Sequence, residues 1–94
     1  MSVIDITRHH TLDHDHALAK ANELADSLAD RFDVSCERCG DTLKFSRTGV
    51  KGQLSVEPTY IHIRLELGLL LRPFKSRIEH EIHNHLDGLI EDKG

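Results

Sequence analysis

The sequence predicts an α+β fold of order β-α-β-β-β-β-α, with an antiparallel meander sheet and two helices packed on one of its faces. Three observations lead there. The stretch "YIHIRLEL" alternates without a break, Ile61, Ile63, Leu65 and Leu67 facing one way and Tyr60, His62, Arg64 and Glu66 the other. Such alternation is the mark of a sheet with one buried and one wet face. Two other segments each carry a single apolar stripe at helical spacing, so both helices most simply cover the sheet's one apolar face. The connections between the later strands are short, which favours a meander.

Each element has its own reason. Ser2 to Arg8 alternates, with Ile4 and Ile6 on one side and Val3, Asp5 and Thr7 on the other, and is expected to be a short strand. From about Asp13 to Arg31 a helix is expected, because Ala17, Ala21, Leu24, Ala25, Leu28 and Phe32 fall on one stripe. Asp13 and Asp15 suit its amino end, where acids cap free amides and meet the positive end of the helix dipole. Val34 to Cys39 is the least marked strand. Leu43 and Phe45 alternate with Thr42, Lys44 and Ser46, and Thr48-Gly49 reads as a turn. Val50, Gly52, Leu54 and Val56 form the next apolar row, ended by the turn Glu57-Pro58-Thr59. Pro73 is expected to open the last helix. The stripe of that helix is Phe74, Ile78, Ile82, Leu86, Leu89 and Ile90. The corner "LGLLLRPF" before it is expected to turn inward as core.

Composition narrows the class. With 94 residues the chain forms one domain, residues 1–94, with a small core. Hydrophobic residues at 38% and charged residues at 30% are the balance of a soluble globule. A net charge of −4 argues against a general nucleic-acid binder. The eight histidines make the surface field sensitive to pH near the ordinary histidine range of about 6.5. The amino end lacks a signal peptide's apolar region, and the longest apolar run is far short of the roughly 20 residues that span a bilayer. Two cysteines do not make a secreted disulfide scaffold. Cytoplasmic location is the expectation.

Three groups of residues invite a functional reading. "CERCG" could form a metal knuckle through Cys36 and Cys39, but no second C-x-x-C completes it. If the stretch is a strand, the two thiols also point to opposite faces. The histidines cluster at His9, His10, His14 and His16 and again at His80, His83 and His85, where "HEIHNH" misses the zincin spacing by one residue. Arg72, Lys75 and Arg77 gather near the amino end of the last helix, which disfavours cations by its dipole. Cations beside free amides can hold a carboxylate or phosphate. The plainer account pairs them with Glu79, Glu81 or sheet carboxylates. No catalytic triad or carboxylate pair can be argued from spacing, so an enzyme is not expected, and no cofactor is.

"GDTLKFSRTGVKGQLSV" and "LELGLLLRPFKSRIEHEIHNHLD" together closely resemble a bacterial family, the polyhydroxyalkanoic acid system proteins, named for genes lying near polyester-granule genes. "RHHTLDHDHALAKANELADSLADRF" also fits, with His10 and Leu12 at that family's H-x-L. The resemblance covers nearly the whole chain, and L-G-x-L-L-x-P-F-K-x-R-I is its most specific part. It departs near Cys39, where the family commonly has an aromatic residue, so the C-x-x-C looks local to this chain. The resemblance implies a bacterial cytoplasmic protein linked by gene context to polyester storage, and it brings no catalytic residues.

The expected function is therefore a non-catalytic accessory or binding protein of polyhydroxyalkanoate metabolism, acting on the granule or on a polyester-metabolising enzyme. Arg72, Lys75 and Arg77 are the candidate anion or partner contacts. One alternative is a pocket for a small apolar acid or acyl ester between the sheet and the last helix, by analogy with helix-grip folds. A chain this short leaves little room for the roughly 300 Å³ such pockets usually need. The other alternative is a metal-binding module built on Cys36, Cys39 and histidines. The polar outer sheet face would also suit a homodimer.

Overall fold

The computed structural model describes residues 2–91, and the side chains of residues 2–87. Its order is β1 (Ser2–His9), α1 (His14–Phe32), β2 (Ser35–Cys39), β3 (Thr42–Arg47), β4 (Val50–Val56), β5 (Tyr60–Leu67), a 3₁₀ helix (Leu69–Phe74) and α2 (Lys75–Glu91). The expected α+β order therefore holds.

The five strands lie in the order β1-β5-β4-β3-β2, every neighbouring pair antiparallel. Strands β2 to β5 form the meander, and β1 adds to its open edge beside β5. Register places Ile4 opposite Leu65 and Ile6 opposite Ile63, so the apolar rows of β1 and β5 fall on the same face. Leu54 stands opposite both Leu43 and Ile63, which continues the row across the sheet. A shift of one residue in any strand would turn its row to water, so burial fixes the pairing.

Both helices cover that one face. α1 packs across β4 and β2, α2 packs on β1, and the helices pack on each other. Ala17, Ala21, Leu24, Ala25 and Leu28 of α1 are buried, as are Ile78, Ile82 and Leu86 of α2. The alanines of α1 let its backbone approach the sheet closely. Asp13 caps α1, its side chain accepting from the His16 amide, and Asp33 closes it in the left-handed region at φ 57°. Leu89 and Ile90, expected at the end of the α2 stripe, lie outside the described side chains.

Two expectations for the corner fail. Pro73 does not open the α-helix; it sits inside the 3₁₀ helix, two residues before α2 begins at Lys75. Nor is the corner core. Leu71 packs against the core, but Leu69 is 75% exposed, Leu70 77% and Phe74 39%. The reason is geometric. Val50 and Leu67, both buried, face each other across β4 and β5 at the sheet end, and the chain leaves them directly into the 3₁₀ turn. A 3₁₀ turn has three residues per turn, so it can send one leucine of three inward.

Candidate functional site: a charged, apolar corner and the crevice beneath it

The corner is pinned to the β3–β4 turn. Gly68 donates its amide to the Gly49 carbonyl at 2.8 Å, and Leu71 donates to Gly68 at 3.1 Å. Gly49 has φ 88°, a conformation glycine adopts without penalty, and its Cα lies 3.5 Å from where a Cβ on Gly68 would stand. Gly49 thus supplies the left-handed turn residue, and its backbone lies in contact with that of Gly68 at the strand end. From that anchor the 3₁₀ helix carries Leu69 and Leu70 outward and Leu71 inward.

Arg72 and Arg77 are exposed and Lys75 is half-buried. No ion pair joins any of the three to another described residue. Glu81, one of the carboxylates expected to receive them, is engaged elsewhere. It accepts from the Ser27 hydroxyl, lies 3.0 Å from His85 Nε2 and 3.4 Å from Arg31 Nε. The Ser27 hydrogen bond, with His85 and Arg31 assisting, holds the Glu81 carboxyl below its usual range against the opposing effect of burial. The backbone at the start of α2 is not free either, because the Lys75 amide donates to Arg72. Arg72, Lys75 and Arg77 thus form a group of cations at the junction of the 3₁₀ helix and α2 with no ion pair to a described residue.

Beneath the corner lies a crevice of about 180 Å³. Leu28 and Phe32 of α1, Phe45 of β3, Val50 of β4, Leu65 of β5 and Ile78 of α2 form its main walls, with Leu71 and Phe74 over one side. Arg31, Asp33 and Arg47 are its charged lining residues. Arg47 closes β3 opposite Val50, on the helix-covered face, and its Nη1 donates to the Phe32 carbonyl at 2.6 Å. A second, more open groove continues outward from the shared Arg31 and Phe32, past Ser76, Arg77, His80 and Glu81. Arg72 and Lys75 line neither. Arg31 and Arg47 had no signal in the sequence, because only the packing of α1 on β3 and β4 brings them to one place.

The cysteines and histidines go to separate tasks. Cys36 stands opposite Phe45 and Cys39 opposite Thr42, so the two thiols leave edge strand β2 on opposite faces. Loss of water around Cys36 pushes its thiol up, Asp26 adding to the effect and Arg38 opposing it. Arg8 donates to His83 Nδ1 and to Asp87, tying β1 to α2. His14 faces Asp41 at 2.9 Å, and His62 faces Asp5 at 2.7 Å on the open side of the sheet. The His62 bond, with Arg64, holds Asp5 below the usual carboxylate range. His10 is buried; its Nδ1 accepts from the Leu12 amide, so Nε2 carries the proton donated to the Glu57 carbonyl. That joint is a structural use for the H-x-L residues. Among the described residues no three of His, Cys, Asp and Glu converge as a metal site. No helix among them is long and apolar enough to cross a membrane.

Neither the curated proteins nor the solved structures contain a match to the chain. The family described as "Putative polyhydroxyalkanoic acid system protein" matches residues 4–90, a span that holds the corner, strands β2 to β5 and most of β1, and the chain belongs to this family.

Proposed function

We propose that this is a non-catalytic binding protein of polyhydroxyalkanoate metabolism that attaches to the polyester granule in the cytoplasm through the corner between β5 and α2. The family description supports the link to the polyester system. The observation that carries the docking surface is the exposure of Leu69 and Leu70, at 75% and 77%, beside cations that no described carboxylate pairs with. Neighbouring leucines held in water on a pinned 3₁₀ turn are costly, and covering them returns roughly 25 cal/mol per Å². A hydroxyalkanoate polyester presents alkyl groups between ester carbonyls along its chain and carries a carboxylate at its end. Leucines flanked by Arg72 and Arg77 complement both parts.

The test is co-sedimentation of the purified protein with protein-free polyester granules. Wild type is expected in the pellet. The double variant Leu69→Ser, Leu70→Ser should release it by at least tenfold, since burying one leucine is worth about 1.5–3 kcal/mol. Arg72→Glu with Arg77→Glu should weaken attachment and reduce its response to salt. Wild type remaining in the supernatant would sink the granule reading. Capture of a polyester-metabolising enzyme through the same four residues would move the partner from granule to enzyme.

A further inference from the structure

We infer that the crevice beneath the corner binds a short, unbranched acyl chain ending in a carboxylate, the chain lying against Phe45, Val50, Leu65 and Ile78 and the carboxylate at Arg31 and Arg47. This goes beyond granule attachment. It concerns a soluble ligand and the inward side of the corner, whereas the granule would meet its outward side.

Size comes first. Protein interiors are packed like organic crystals, with few voids larger than a water molecule. The sheet core obeys this, with Leu43, Leu54, Ile61, Ile63 and Leu67 fully buried. The crevice, at about 180 Å³, breaks the pattern at one end of the same core. An apolar cavity of about 150 Å³ is enough to take up benzene, so this volume suits a chain of roughly four to six carbons. It is too small for a whole cofactor ester, since drug-sized ligands use pockets of about 300 Å³ or more.

Charge comes second. Arg31 and Arg47 are among the residues that line the crevice, and Asp33 is the one acidic residue there. Glu81 draws on Arg31 from 3.4 Å but is itself shared with Ser27 and His85. Arg47 uses Nη1 on the Phe32 carbonyl, which steadies the guanidinium beside the apolar walls and leaves its other donors for a ligand. Bidentate recognition of a carboxylate is the task to which such a planar fork is suited. Arg77, in the groove that shares Arg31 and Glu81, adds a further cation outward. An apolar slot with a cationic mouth selects an amphiphile with an anionic end.

Amide chemical-shift titration of the full chain with hexanoate, hexanamide and acetate tests this. Hexanoate is expected to saturate with Kd on the order of 1 mM, a normal affinity for so few atoms. Its shifts should fall within residues 28–34, 45–50 and 71–78. Hexanamide should bind about tenfold more weakly, because a charged hydrogen bond is lost, and acetate should not saturate. Arg47→Gln should remove the preference for hexanoate over hexanamide while leaving the spectrum folded. Val50→Phe should fill the slot and abolish both, its dispersion reporting whether the fold survives. The Leu69→Ser, Leu70→Ser variant should bind hexanoate as wild type does, so granule attachment and ligand binding fail separately. No saturable shift, shifts confined to the open sheet face, or a hexanoate preference that survives Arg47→Gln would each overturn the inference.

Discussion

Arg31 Nε lies 3.4 Å from Glu81 Oε2, a link from the last turn of α1 to α2 at the mouth of the crevice. The same carboxylate accepts from Ser27 on α1 and faces His85 one turn along α2, and its side chain is only 14% exposed. Its folded pKa lies below the ordinary 4.5, with the Ser27 bond the largest cause. A depressed carboxylate contributes stability that is fully present above 4.5 and is lost as pH falls through the folded value. The urea midpoint should therefore drop from pH 5 toward pH 3. Asp5 and Asp13 are depressed too and lose their contributions in the same acid range, so the difference between proteins isolates Glu81. Glu81→Gln should be less stable than wild type at pH 6, with the gap closing at pH 3. A gap that stays constant across that range would deny Glu81 this role.

Gly52 faces the helices from the middle of β4, opposite both Phe45 and Leu65. A Cβ there would stand 2.6 Å from Leu65 Cδ2 and 2.8 Å from Leu65 Cα, besides meeting the Arg64 carbonyl. Backbone cannot yield as a side-chain end can. Gly52→Ala should cost about 1–3 kcal/mol by overpacking, visible as a lower denaturant midpoint with an unchanged slope. An equal or higher midpoint would mean the strands move apart more easily than the register implies.

The corner separates binding from folding. Leu69→Ser and Leu70→Ser should change stability by no more than about 0.5 kcal/mol each, as exposed sites do. Leu67→Ala, two residues earlier and fully buried, should cost about 2–5 kcal/mol. Thermal or urea unfolding of the three variants reads this directly. Comparable losses for Leu69 and Leu67 would return the corner to the core.

The strands were legible because burial on one face writes a period of two into the chain. "YIHIRLEL" shows it, and β5 is the strand that both β1 and β4 flank. The corner misled for the complementary reason. Three consecutive leucines carry no period, so nothing local says which of them turns to solvent. That depends on the 3₁₀ turn, which sends Leu71 inward and leaves Leu69 and Leu70 in water. Pro73 gave a true signal for helical backbone but could not tell a 3₁₀ turn from the first turn of α2. Of the residues around the crevice and its outer groove, Arg77 was legible as part of a cation cluster. Arg31 and Arg47 lie at the far ends of α1 and β3, and only sheet order and helix placement make them neighbours of one cavity.

Cys36 allows a last check on local chemistry. It is exposed on edge strand β2, opposite Phe45, yet partial loss of water there pushes its thiol up, with Arg38 opposing and Asp26 adding to the effect. The thiolate is the reactive and metal-binding form, so Cys36 should be sluggish at neutral pH. In a Cys39→Ser background, alkylation by iodoacetamide at pH 7.5 should run slower than for a free cysteine peptide. The gap should narrow above pH 9, where the peptide is already ionised and Cys36 is still gaining thiolate. Asp26→Asn should speed the reaction and Arg38→Gln should slow it, since Arg38 is the one cation pulling the thiol down. Alkylation faster than the peptide would show an activated thiol and revive the metal or redox reading of C-x-x-C.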